Sequence, residues 1–375
     1  MRVLLSHYPM SLSGGSERST LDLGAGLSKL GHSVYLWGAW ATFKNYVTLA
    51  ENNNIQILPN KETSFLFELA ALRRACKTVP IDAIISHSRR YNIMSRFATM
   101  QTSTVHIPVI RWFLSLWNPV NTRNPFVLAL SPLWTLTWYR VLRKAPYLVC
   151  VSHALAADAQ AVLRCQPQHT PVIHNAIGVS YGSLSYQPRK LHKRPFKLLL
   201  VGRASSEKKW GLIVPLMQEI LKSEHDVNAS IVGSGELLPA LREMIVKSGL
   251  GDHVELLGHR EDIAECYQNA DVLVHFREDE AFGRIFLEAQ LNGLPVVAGR
   301  RGAAAEIVCE GRTGFLHDGN DVSAMARSII TLIREDGTYL RMSQAAHKWA
   351  SENFSVDRMA KEYETIIKRA APYRI

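Results

Sequence analysis

Glu280 and Glu288 enclose the stretch Glu-Ala-Phe-Gly-Arg-Ile-Phe-Leu-Glu, which runs on through Asn292-Gly293 into the apolar Leu294-Pro295-Val296-Val297-Ala298. A carboxylate can accept two hydroxyl hydrogen bonds, and the vicinal diol of a ribose or hexose presents that pair. On one continuous helix, a spacing of eight residues sets two side chains about 80° apart. Gly283 argues instead that Glu280 sits in a loop before the helix begins, where free backbone N–H groups attract an anion or sugar hydroxyls. The apolar run predicts a buried strand, and the C-terminal edge of such a strand is where α/β sheets bind ligands. Two solvated acids on a surface helix would show the same isolated spacing.

A second chemical grouping follows Phe196–Val201, a predicted buried strand that gives way to Gly202-Arg203-Ala-Ser-Ser-Glu-Lys208-Lys209. Arginine offers a planar fork and lysine a point charge, so cations and a glycine at a strand end suit a phosphate, although a solvated turn has the same composition. Ala229–Val232 with Gly233-Ser234-Gly235-Glu236 is another strand, loop and helix. Its third glycine is missing, so it is not a dinucleotide fingerprint.

These groups need a scaffold, and the chain supplies a repeated one. Arg2–Tyr8 reads as a strand, Pro9 and Ser13-Gly14-Gly15-Ser16-Glu17 as a turn, and Leu23, Leu27 and Leu30 as one helical stripe ending at Gly31. Val34–Trp37 closes this βαβ start, again without the dinucleotide pattern or an acidic residue at the second strand's end, which disfavours an NAD-dependent enzyme. Further strands at Ile81–Ile85, Thr104–Val109 and Tyr147–Val151 end near His87, His106 and Ser152. Val254–Leu257 and Asp271–His275 continue the alternation in the second half, and Met359, Tyr363, Ile366 and Ile367 mark a terminal helix.

A length of 375 residues exceeds one ordinary core, and 47% hydrophobic content excludes a disordered chain. We expect a domain over residues 1–180, a linker over 181–195, a second domain over 196–354 and a terminal helix over 355–375. Cys76, Cys150, Cys165, Cys266 and Cys309 form no Cys-x-x-Cys pair, so neither a disulfide framework nor a zinc site is expected, and a reducing cytoplasmic compartment fits. No apolar run reaches the roughly 20 residues that span a bilayer, and the first residues read as a strand rather than an export signal.

Charge is unevenly placed. Residues 1–190 hold 19 Lys and Arg against 7 Asp and Glu, whereas residues 191–375 hold 24 against 26. Between Asp82 and Asp158 there is no acid, while Arg89, Arg90, Arg96, Arg111, Arg123, Arg140, Arg143 and Lys144 all fall there. Such a field concentrates anions. The same segment carries Trp112, Trp117 and a predicted helix capped by Ser131-Pro132, on which Trp134 and Trp138 share a face with Val141 or Leu142 and cations come last. Tryptophan beside arginine is the composition of a helix lying in a membrane interface, against the alternative of a helix packed on its own sheet. Nucleic acid is disfavoured, because no reader motif appears and aliphatic residues dominate the patch.

Taken together, Glu-x-Phe-Gly, Asn292-Gly293, Pro-Val-Val, Gly302-Ala-Ala-Ala-Glu306 and Gly311-Arg-Thr-Gly314 resemble the donor-site signature of retaining glycosyltransferases of family 4. Gly14-Gly15-Ser16-Glu17 resembles the same family's opening loop, which approaches the donor pyrophosphate and the acceptor. The resemblance implies a GT-B fold, with two Rossmann-like doubly wound domains facing across a cleft and a terminal helix crossing back to the first. It implies a nucleotide-diphosphate sugar as donor substrate, no cofactor and no metal, in keeping with the lack of an Asp-x-Asp motif. Arg203 and Lys208 would hold the pyrophosphate, with Gly15, Gly202 and Gly235 in the loops near it. Glu280 would lie near the hexose, Ala281, Phe282 and Gly283 against it, and Glu288 on the ribose diol. His106 occupies the family's place for an active-site histidine, with His87 as competitor. Arg277 in place of the usual serine and Ala303 in place of a second glycine are departures that bear on sugar choice.

The expected activity is transfer of a hexose to a lipid-linked, lipopolysaccharide or polysaccharide acceptor by a cytoplasmic protein peripheral to an anionic membrane. Arg89, Arg90, Trp134, Trp138, Arg140, Arg143 and Lys144 would make the acceptor and membrane contacts. A nucleotide-sugar 2-epimerase of the same architecture and a non-catalytic carbohydrate-binding scaffold are the alternatives.

Overall fold

The computed structural model describes residues 1–7, 14–40, 44–58, 60, 64–116, 125–178, 181, 186, 195 and 196–371, with 125–131 described by backbone alone. The chain divides into two compact units, Met1–Gly182 with Ser355–Ile375, and Ser183–Phe354. Each is a parallel six-stranded sheet with helices between its strands, so the chain is α/β with two doubly wound units.

In unit 1 the strands are β1 (Arg2–Ser6), β2 (Ser33–Trp37), β3 (Ile55–Ile57), β4 (Ala83–His87), β5 (Val105–Ile110) and β6 (Val149–Cys150), in the order β3-β2-β1-β4-β5-β6. Its helices are α1 (Gly15–Lys29), α2 (Lys44–Asn52), α3 (Phe65–Thr78), α4 (Arg89–Thr99), α5 (Pro125–Lys144) and α6 (His153–Leu163). The strands are almost continuously apolar because helices cover both faces of a parallel sheet. Leu4, Tyr35, Ile84, Tyr91 and Met94 form part of the resulting core.

Unit 2 repeats the plan with β7 (Phe196–Val201), β8 (Val227–Val232), β9 (Val254–Gly258), β10 (Val272–His275), β11 (Val296–Gly299) and β12 (Gly314–His317), ordered β12-β11-β10-β7-β8-β9. Its helices are α7 (Ile213–Leu221), α8 (Leu238–Lys247), α9 (Ile263–Gln268), α10 (Arg284–Leu291), α11 (Ala304–Ile307), α12 (Val322–Arg334) and α13 (Asp336–Asn353). In each unit the order reverses direction beside the first strand, at β1/β4 and at β7/β10, and ligands of doubly wound sheets bind outside the strand ends at such points.

The last helix, α14 (Val356–Ala370), belongs to unit 1 and buries Met359, Tyr363, Ile366 and Ile367. It lies so close to α1 that a Cβ on Gly26 would stand 2.7 Å from Val356 Cγ1 and 2.9 Å from Ala360 Cβ. The pair is tied at the surface by Lys29 and Asp357, 2.9 Å apart.

One sequence boundary is corrected. Ser131-Pro132 does not open a helix: α5 begins at Pro125 and carries Pro132 inside it. A proline already stands at the first position, where its missing N–H costs nothing, and Phe-Val-Leu-Ala-Leu extends the helix from there. Trp117, Arg123 and most of the linker expected over 181–195 lie outside the described residues.

Candidate functional site

Unit 2 assembles its charged groups at the β7/β10 reversal. After β7 the chain passes Gly202 and Arg203 into a short 3-10 turn, Ser206–Lys208. Lys209 then adopts the left-handed conformation at φ 51°, which starts a second turn, Trp210–Leu212. That path points Lys208 at Glu280, in the loop after β10, with Nζ donating to Oε2 over 2.7 Å. His275, the last residue of β10, donates from Nε2 to the same oxygen at 3.1 Å. Burial alone would push the Glu280 carboxyl up, but Lys208 and His275 overcome it and hold the group well below the ordinary carboxylate range. Burial lowers His275, and Lys208 lowers it further against the opposing pull of Glu280. The result is a fixed carboxylate that holds the lysine ammonium in place. That ammonium keeps two further N–H donors.

Arg203 is exposed and, among the described residues, its guanidinium has no ion-pair or hydrogen-bond partner. It stands at the end of β7, in the same loop as Lys208. Gly202 leaves room for the lysine stem, since a Cβ there would meet Lys208 Cε at 3.5 Å. The neighbouring loop makes the tighter demand: Gly233, at φ 148°, would put a Cβ 1.7 Å from Gly202 O. Gly235 likewise would bring a Cβ within 2.4 Å of Ala204 O. Gly235 thus packs one loop on the other, which is what lets the first keep its shape.

Glu280 itself is held from behind. Ala303 N–H donates to Glu280 O at 2.9 Å, and a Cβ on Gly302 would stand 2.5 Å from the same oxygen. Gly283, in the left-handed region at φ 76°, caps α10. Ala281 is half-buried, and Phe282 is buried. One turn and more into α10, Glu288 is buried, accepts from the Tyr267 hydroxyl at 3.0 Å and has Arg284 Nε at 3.5 Å. Glu280 and Glu288 therefore occupy a loop and a helix, each with its own partner. Arg277 bonds Asp279 at 2.9 Å within that same loop.

The corresponding edge of unit 1 is built from histidines. His7 follows β1 and His87 ends β4, their ring centroids 5.5 Å apart, and Arg111 Nε, just past β5, donates to His87 Nδ1 at 3.1 Å. Burial lowers His87 well below its usual range, helped by Arg111 and His7. Burial lowers His7 to about 4, with Glu17 of α1 pulling upward and Arg111 downward. Both rings are neutral at neutral pH. Ser88, between His87 and α4, is held at φ 74° and ψ 158°, a region open chiefly to glycine, and such strain gathers where a chain is bent for a purpose. Gly15 opens α1, exposed, and Gly14 is its cap.

His106 is a correction. It is the second residue of β5, near the end opposite His87, and it is buried, with Nε2 2.8 Å from Ser86 Oγ. Burial, then Arg96, lowers it to about 3. The strand begins one residue later than its sequence indicates and runs on past Val109, so the residue reaching the C-terminal edge is Arg111. His7, Arg111 and His275 were missed as candidates. All of them end or follow an apolar strand, the one signal that could have marked them.

Trp138 is the second correction. It is buried together with Val141 and Leu142, so this face of α5 packs inward. Trp134 lies at the edge, 37% exposed, against Phe65 with centroids 5.0 Å apart. What faces solvent is apolar all the same: Leu133 and Leu136 on α5, and Leu66 and Phe67 on the first turn of α3. Arg90 stands over the Phe65 ring and pairs with Glu68 at 2.7 Å, and Arg89 reaches Thr135 at 3.4 Å. Arg140 is exposed beyond them. Arg143 and Lys144 are a further helix turn on, about 15 Å along the axis from Trp134. Among the described residues, no helix is long and apolar enough to cross a membrane.

Comparison with known proteins agrees with the two-unit α/β fold. A model described as glycosyl transferases group 1 matches residues 185–349, and one described as glycosyltransferase family 4 matches residues 13–181. An uncharacterized glycosyltransferase of Haemophilus influenzae is 23% identical over 364 residues, covering 95% of this chain and 96% of that one. The N-acetyl-alpha-D-glucosaminyl L-malate synthase of Bacillus anthracis is 28% identical over 144 residues, and this match spans only 38% of either chain. Among solved structures, Anabaena Alr3699/HepE in complex with UDP superposes with a TM-score of 0.79 at 21% identity, covering 98% of this chain and all of that one.

Proposed function

The chain belongs to the group 1, family 4 glycosyltransferases, and from that premise we propose that it transfers a hexose, with retention of anomeric configuration, from a nucleotide-diphosphate sugar to an anionic lipid-linked or glycan acceptor. It is an enzyme of glycosyl transfer; the donor class, the acceptor class and the stereochemistry are proposed. The observation that carries it is the Lys208–Glu280–His275 cluster beside the unpaired Arg203 at the sheet reversal of unit 2. The Anabaena protein was solved in complex with UDP, which supports a nucleotide-linked donor.

The barrier to transfer is departure of a nucleoside diphosphate from an oxocarbenium-like sugar, so charge stabilisation on the leaving phosphate is the chief requirement. Lys208, with its stem fixed by Glu280, offers its remaining N–H donors to a phosphate oxygen without reorganising. Arg203 offers a planar fork to the same diphosphate. In this reading the two cations meet the charge that a resident metal would otherwise meet. Retention follows from attack by the acceptor hydroxyl on the face the diphosphate leaves. The bond from the anomeric carbon to the acceptor oxygen forms as that to the phosphate oxygen breaks, and no side-chain nucleophile takes part. Glu288, an acceptor with lone pairs beyond those used by Tyr267, suits the ribose diol.

Unit 1 is the acceptor side. Its neutral His87 and His7 can accept or orient a hydroxyl without adding charge. The exposed Leu66, Phe67, Leu133 and Leu136, with Arg89 and Arg90 nearby, suit an anionic membrane surface that presents a lipid-linked acceptor. A panel of labelled nucleotide sugars, incubated with glycolipid extract and analysed for the anomeric configuration of the product, tests the reading. Inversion, or label left in the nucleotide sugar whatever acceptor is added, would overturn it. Glu288→Ala should weaken nucleotide-sugar binding about tenfold through loss of a charged hydrogen-bond acceptor; unchanged affinity by calorimetry removes Glu288 from the site.

A further inference from the structure

At the opposite edge of the unit 1 sheet, where β5 begins, a cavity of about 860 Å³ opens between the last turns of α4, α5 and α14 and the 3-10 turn Pro167–His169. Arg96 reaches it from α4, Arg143 and Lys144 from α5, and Arg369 from α14, and no acid lines it. Among the described residues, none of these four cations is paired with a carboxylate. Arg143 is anchored through Nε to Leu163 O at 2.9 Å, which orients the rest of its guanidinium.

Helix C-termini attract cations by themselves. Three helix ends contribute roughly half a negative charge each, well short of the four positive charges gathered here. The excess calls for an anion. His106 supplies a second observation: it lines the cavity, is 3% exposed, and its Nδ1 has no hydrogen-bond partner although Nε2 is satisfied by Ser86. Buried polar atoms are rarely left so, and each exception calls for an absent partner or a function. The volume lies within the range of pockets that enclose small ligands.

We propose that this cavity is a second binding site, for a phosphate-bearing ligand, separate from the sheet edges to which the transfer chemistry is assigned. His106 thereby takes a different role from the one its sequence position implies: a neutral hydrogen-bonding group in an anion pocket. Phosphate of a soluble molecule and phosphate of a lipid headgroup share this chemistry.

Titration of the full chain with inorganic pyrophosphate tests the site. Lys144 and Arg369 are exposed, so Lys144→Glu with Arg369→Glu should leave the melting temperature unchanged and weaken one class of pyrophosphate sites by more than about tenfold. Arg203→Ala should spare that class and weaken the other, so failure of the donor reading and failure of this one are told apart. Identical isotherms for the unmodified chain and the double variant would overturn the proposal. Tungstate soaked into crystals of the unmodified chain should give anomalous density beside Arg96 and Arg369, and its absence there would overturn the proposal without any variant. Sedimentation with phosphatidylglycerol vesicles in phosphatidylcholine assigns the source. Loss of both pyrophosphate and vesicles in the double variant supports a lipid headgroup, and loss of pyrophosphate alone supports a soluble phosphate.

Discussion

Unit 1 and unit 2 share one strand order and one pair of reversal points, yet equip those points in opposite ways. At β7/β10 the chain places fixed opposite charges, Lys208 on Glu280, with a glycine-lined path that keeps them in register. At β1/β4 it places His7 and His87, both stripped of charge by burial, with Arg111 as the cation behind them. A departing diphosphate needs charge ready before the reaction, whereas an acceptor hydroxyl needs a group that can take or give a hydrogen bond at neutral pH. On the proposed function, one scaffold would meet both needs because the strand ends, not the sheet, carry the difference.

The comparison breaks most readily at the charges of unit 2. Arg203→Ala should lower kcat by roughly 10²-fold, the scale of losing one preorganised donor to a developing anion. Lys208→Met should do the same and also destabilise unit 2 by about 1–3 kcal/mol, because the half-buried Glu280 would keep only His275 as its partner. Steady-state kinetics with urea denaturation checks both; wild-type kcat in either variant removes that cation from the leaving-group role.

Each reversal also depends on a glycine that no other residue can replace. A Cβ on Gly233 would stand 1.7 Å from Gly202 O, and one on Gly38, at φ 137°, 2.1 Å from His7 O. Alanine at either place should cost ~2 kcal/mol or more, since the opposing atom is backbone and cannot swing away. Thermal melts of the two variants should fall together, and a neutral result at one would show that its loop is free to move.

Acid separates the units. An unfolded histidine binds its proton below about pH 6.5, while His7 waits until about 4, His106 until about 3, and His87 until well below its usual range, burial being the leading cause for each. Between those limits the unfolded chain binds more protons than the folded one. Stability is therefore full above the unfolded value and falls as pH drops toward the folded ones. Unit 1 holds three such rings and unit 2 has His275, lowered by burial and Lys208. His32 and His317, lowered chiefly by burial, add one to each side. Hydrogen exchange at about pH 4.5, corrected for intrinsic rate and compared with neutral pH, should show β4 and β5 losing protection before β10 and β11. The reverse order would remove the contrast.

Much of this was legible in the residues. The strand ends of unit 2 were marked by apolar runs breaking at Gly202 and before Glu280, and the alternation of strands and helices gave both sheets. The pairing of Lys208 with Glu280 was not, because 72 residues separate them and only the crossover brings β10 beside β7. His106 was misplaced since an apolar run does not say where within it a strand's useful end lies. Trp138 was misread for a related reason: helical spacing groups residues on a face but leaves open whether that face looks inward, and Trp138, Val141 and Leu142 form the packed one.

The smallest expected effect concerns that exposed surface, and it tests the proposed contrast between an acceptor side that meets a membrane and a donor side that does not. Leu133 and Leu136 are 60% and 47% exposed, so Leu133→Ser with Leu136→Ser removes apolar area from solvent contact without opening the core. Each leucine contributes on the order of 1 kcal/mol when it enters an interface. Sedimentation with anionic vesicles should therefore weaken by roughly ten- to thirtyfold, while turnover on a water-soluble acceptor analogue stays unchanged. Trp138→Ser is the control: it should lower the melting temperature, because it empties a packed site. Equal vesicle binding by the double variant and the unmodified chain would mean that α5 meets something other than a bilayer. Lost turnover on the soluble analogue would place these leucines against the acceptor itself.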